Sequence, residues 1–66
     1  MRITVNGELR NTSEPLTILG LLHLLAIDPE RVAIEVNREI VKAKNWESTR
    51  LEPEARVEIV QFVGGG

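Results

Sequence analysis

The sequence predicts an α+β domain in which one helix packs on one face of a mixed sheet of four to five strands. Three observations carry that expectation. Alternating apolar and polar residues mark Met1–Val5, Val32–Val36 and Arg56–Val63 as strands. A single segment, Ile18, Leu21, Leu22 and Leu25, has the spacing of a helix face. The 66 residues hold one core and leave no chain for a second. The domain is expected over 1–63, with a glycine tail at 64–66.

The elements follow in order. Met1, Ile3 and Val5 alternate with Arg2 and Thr4, the pattern of a half-buried strand. Asn6-Gly7 is a strong hairpin signal. A two-residue loop would set Val5 opposite Glu8 and turn Leu9 away from Val5. A loop one residue longer, with Gly7 at a bulge, puts Leu9 on the same face as Val5, and the hydrophobic pattern favours that register. The second strand then runs from about Glu8 to Thr12. Ser13-Glu14-Pro15 connects to Thr17, an N-cap for a helix from Ile18 to Ala26. Gly20 weakens that helix by about 1 kcal/mol relative to Ala, and Leu19 and Leu24 lie outside its narrow stripe.

Asp28-Pro29-Glu30-Arg31 reads as a capped single turn with proline in first position. Val32–Val36 is the third strand, Asn37-Arg38-Glu39 turns it, and Ile40-Val41 is a short return strand. Lys42–Arg50 has no period and holds a short turn near Asn45-Trp46-Glu47. Pro53-Glu54-Ala55 turns into the last strand, the most β-rich segment of the chain.

Composition narrows the function classes. With 42% hydrophobic and 27% charged residues the balance is globular. Cysteine is absent, which removes disulfide staples, zinc ribbons and thiol nucleophiles from consideration. The net charge is −2, and the eight Lys and Arg are dispersed, so no nucleic-acid groove is expected. Trp46 and Phe62 are the only aromatics, too few for base stacking. No apolar run reaches membrane length and the start does not read as a signal peptide, so the expected compartment is the cytoplasm.

No catalytic constellation emerges. His23 lies off the helix stripe without visible partners for acid–base work. Glu52 and Glu54 flank a proline turn, and Lys42 and Lys44 sit in an irregular segment; both pairs read as solvated. Trp46 reads as a lid over the core edge. No metal site and no catalytic residue of the chain's own are expected.

Two features ask for more. The strongest strand runs almost directly into Gly64-Gly65-Gly66, which on composition is either a frayed end or cloning remnant or a slim functional tail that could thread a channel too narrow for side chains and present an α-carboxylate at its tip. On the same strand, Val57 and Ile59 suit the face under the helix. Val60 and Phe62 then lie on the opposite face, where they either pack at the edge against Trp46 or the long loop or, with Val63, form the candidate patch for partner docking beside the tail.

Taken together, these residues resemble the ThiS family, the sulfur carriers of thiamine biosynthesis, which have a β-grasp, ubiquitin-like fold. The resemblance runs the whole length. It is carried by Ile3-Thr4-Val5-Asn6-Gly7-Glu8, Leu16-Thr17-Ile18 with Leu21-Leu22, and Val32-Ala33-Ile34-Glu35-Val36-Asn37. It continues through Ile40-Val41, Trp46, Leu51, Val57-Glu58-Ile59-Val60 and Gly65-Gly66. The chain departs from the family at Pro53-Glu54-Ala55, where Glu-Gly-Asp is usual, and at His23-Leu24, where acidic residues are common.

The resemblance implies a sulfur carrier that is a co-substrate and not an enzyme. Gly66 would bear the carboxylate that an E1-like adenylating enzyme activates with ATP, Gly65 would let the tail enter, and Gly64 would lengthen the slim stretch. It further implies a sulfur-donor protein, a cysteine desulfurase or sulfurtransferase, and a thiazole synthase that takes the sulfur. No cofactor would be bound by the chain itself. The small subunit of molybdopterin synthase, a ubiquitin-like modifier, and a β-grasp binding module with an inert tail are the other readings of the same pattern.

Overall fold

A computed structural model describes residues 1–62. Strand β1 (Arg2–Val5) turns through Asn6-Gly7 into β2 (Glu8–Asn11). Val5 pairs with Glu8 and Thr4 with Leu9, so the loop has two residues and the expected bulged register is wrong. The turn chemistry explains it. Asn6 and Gly7 take φ of 49° and 82°, the paired left-handed conformation of a tight hairpin turn whose twist matches its strands. Leu9 consequently lies on the face away from Val5, 61% exposed.

Helix α1 (Ile18–Leu24) starts where Thr17 predicts. The Thr17 Oγ1 accepts the Gly20 N–H at 3.0 Å, and loop carbonyls of Thr49 and Trp46 accept the N–H groups of Ile18 and Leu19. A Cβ at Gly20 would lie 3.2 Å from both Leu16 Cδ1 and that capping oxygen, which accounts for glycine inside so short a helix. The helix ends two residues before the expected Ala26. Ile27 N–H bonds Leu22 C=O and Ala26 N–H bonds His23 C=O, with Ala26 at φ 57°, a Schellman closure.

Asp28 caps the 3₁₀ turn Pro29–Arg31 through the Glu30 N–H at 2.9 Å. Strand β3 (Val32–Val36) reverses at Asn37-Arg38, both at positive φ, into β4 (Glu39–Ile40), one residue earlier than expected. A second 3₁₀ turn spans Ala43–Asn45, just ahead of the expected site around Trp46. Strand β5 (Arg56–Gln61) follows the Pro53-Glu54 turn.

The five strands form one sheet in the order β2-β1-β5-β3-β4. β5 runs parallel to β1 and antiparallel to β3, so the last strand is the central one. The core lies between the sheet and α1. Ile18, Leu21 and Leu22 pack there on Ile3, Val5, Ile34, Val57 and Ile59, with Trp46, Leu51 and Ala55 sealing the side. Leu24 points out, exposed, while Leu19 and Leu25 are half-buried.

Candidate functional site

The strand that leads into the tail is held from both sides by asparagines. The Asn6 side chain extends the β1–β5 ladder beyond the end of β1. Its Nδ2 donates to the Ile59 carbonyl at 3.1 Å, and its Oδ1 accepts the Ile59 N–H at 2.7 Å. On the other side the Asn37 Oδ1 accepts the Arg56 N–H at 2.9 Å, and the Asn37 N–H donates to the Arg56 carbonyl. Both asparagines sit at positive φ, a conformation that asparagine tolerates better than most residues. Beyond the strand, the Phe62 N–H donates to the Arg31 carbonyl at 2.8 Å, so the chain stays in register with β3 up to Phe62.

That register separates the faces of β5. Val57 and Ile59 are buried under α1, while Val60 and Phe62 are 53% and 58% exposed on the open face. The predicted docking residues Val60 and Phe62 are thus accessible. Val63, the third of them, and Gly64, Gly65 and Gly66 lie outside the described residues. The structure enlarges the strip by two residues that sequence reasoning passed over. Ala33 stands opposite Val60, and Ile40, 78% exposed, stands opposite Glu35. Ile40-Val41 was legible as a strand; the signal left unused was its period, which turns Ile40 out once Val41 turns in. Phe62, Ile40, Leu19 and Trp46 also border a groove of about 570 Å³ along β3.

The other candidates fall apart. His23 is exposed on α1. Glu54 pairs with Arg2 at 3.0 Å while Glu52 remains exposed nearby. Lys42 and Lys44 are exposed. Trp46 is a sealed part of the core, its Nε1–H donating to the Val41 carbonyl at 2.7 Å, as the lid reading requires. Among the described residues no three His, Asp or Glu side chains are grouped to hold a metal. No helix among them is long and apolar enough to cross a membrane.

A body with this fold has close counterparts among solved structures. The ThiS family profile matches residues 3–66. The chain belongs to the ThiS family, the sulfur carriers of thiamine biosynthesis. The crystal structure of the thiamine biosynthesis protein ThiS from Geobacter metallireducens superposes with a TM-score of 0.87 at 32% identity, covering 100% of both chains. That agreement extends to the five-stranded mixed sheet and its single helix. A protein named ycf40 in Porphyra purpurea is 42% identical over 64 residues, 97% of this chain and 90% of its own length. A thiazole synthase of Paramagnetospirillum magneticum is 39% identical over all 66 residues, which make up 20% of that protein. A ThiS-like segment and a thiazole synthase therefore occur there in one polypeptide.

Proposed function

We propose that this ThiS-family chain carries sulfur as a thiocarboxylate on Gly66. The observation that supports the reading is the family match running through residue 66, so that it takes in Gly65-Gly66 along with the folded body. A free carboxylate resists nucleophiles because of its charge. An E1-like adenylating enzyme would join it to AMP from ATP with loss of pyrophosphate, which supplies a leaving group. The terminal sulfur of a cysteine persulfide, held by a cysteine desulfurase or sulfurtransferase, then attacks the acyl carbon as AMP departs. A second thiol reduces the resulting acyl disulfide, and the thiocarboxylate is released. Glycine at 64–66 passes a narrow entrance because it has no Cβ. Val60, Phe62 and Val63 dock the partner beside that entrance.

A thiazole synthase is the acceptor in this reading, supported by the relatives that carry this segment and that enzyme in one chain. The protein is then a co-substrate working in the cytoplasm. It binds no cofactor itself, and ATP belongs to the activating partner. The test is the intact mass of the full chain after incubation with its adenylating enzyme, ATP and a persulfide donor. Replacement of one oxygen by sulfur is the expected result. An unchanged mass with an enzyme proven active would leave a β-grasp binding module with an inert tail, and an isopeptide-linked product would make it a ubiquitin-like modifier.

A further inference from the structure

Strand β2 closes one side of the sheet, and its outer edge has no partner among the described residues. The opposite edge, β4, is two residues long, whereas β2 offers four, all of them exposed. The hydrogen bonds next to it fix which way its backbone points. The Met1 ammonium donates to the Thr12 carbonyl, and the Thr12 N–H donates to the Met1 carbonyl. In an antiparallel ladder such exchanges fall on every second pair. Arg10 and Glu8 therefore also bond inward, to their partners Ile3 and Val5 on β1. The N–H and C=O of Leu9 and Asn11 are left facing out of the sheet edge.

The side chains then select a register. Leu9 is exposed on the open face. Glu8 and Arg10 lie on the other face, both exposed, and their contact within the strand is a long 3.9 Å. Charges on an edge strand ordinarily deter pairing with another chain. Here the signs are opposite and two residues apart, so they deter some registers and favour another. With outward groups at Leu9 and Asn11, a second β2 running antiparallel can centre on Glu8, Leu9 or Arg10. Centring on Glu8 sets two glutamates face to face, and centring on Arg10 sets two arginines face to face; both repel. Centring on Leu9 sets Glu8 against the Arg10 of the other copy, twice. It also sets Leu9 against Leu9, where the outward N–H and C=O groups exchange both bonds.

We propose that β2 pairs with β2 of a second copy of this chain about Leu9, joining the two five-stranded sheets edge to edge. The twofold axis is then normal to the sheet, with both helices on one side and both open faces on the other. β1 separates β2 from β5, so Val60 and Phe62 of each copy stay accessible. The pairing stands whether or not the chain carries sulfur. Four residues from each copy form a contact far smaller than a stable dimer needs, which puts Kd at about 0.1–1 mM.

Sedimentation equilibrium of the full chain tests it. The mass should rise from monomer toward dimer across that concentration range, while hydrogen exchange at the Leu9 and Asn11 amides slows. Glu8→Arg and Arg10→Glu each leave like charges opposed in all three registers and should weaken association at least tenfold. Both positions are exposed, so Tm in dilute solution should move by less than about 2 °C. Mixing the two variants opposes unlike charges again and should bring the mass back up. Leu9→Pro removes the outward N–H, a change that an edge strand accepts, and should abolish the dimer. Monomer mass throughout overturns the proposal. So does a dimer that survives either charge reversal, a mixture no more associated than its two parts, or protection that falls on amides away from β2.

Discussion

Asn6 completes a hairpin turn and at the same time holds a strand 53 residues away. Asn6→Gly keeps the positive φ and removes both bonds to Ile59, so it should cost about 1–3 kcal/mol in urea unfolding. Asn6→Ala also places a Cβ in the left-handed region and should cost about 1 kcal/mol more. Equal losses for Ala and Gly would show that the clasp, and not the turn, is the whole of the effect. The turn was legible because Asn-Gly is a local signal. The clasp was not, because a side chain that completes a ladder with a distant strand leaves no mark on its neighbours in sequence. Asn37, which plays the matching part for Arg56, was hidden for the same reason.

The elements show where pattern reading works and where it stops. The stripe of Ile18, Leu21 and Leu22 is fully buried as its spacing requires. Leu22→Ala should cost about 2–5 kcal/mol, enough to leave much of the chain unfolded at 37 °C; thermal melting measures it. At the other end of α1, Ala26 closes the helix in a conformation better suited to glycine. Ala26→Gly should therefore raise stability by about 1 kcal/mol, a shift of about 4–8 °C in Tm. Register at β2 was misread for a reason of scale. A seven-residue helix is about 10 Å long, and strands about 4.8 Å apart make a five-stranded sheet about 19 Å wide. The helix does not shelter β2, all four of whose residues are exposed, so burial had no hold on Leu9 and the turn decided.

For the molecule as a whole, stability and partner contact should respond to different substitutions. Phe62→Asp should weaken partner binding at least tenfold while shifting Tm by less than about 2 °C, since the ring is more than half exposed. A large drop in Tm would return Phe62 to the core. Deleting Gly65-Gly66 should leave the melting curve in place and abolish sulfur loading, read by intact mass. Val60 and Phe62 were found from the two-residue period of one strand. Ile40 needed the pairing of three strands, which no single segment encodes. The position of β5 has a mechanical consequence. It is the middle strand, hydrogen-bonded on both flanks and parallel to the first strand. A force applied along β5 from its C-terminal side loads both ladders together in shear instead of peeling one bond at a time, so the strand resists being stripped from the sheet.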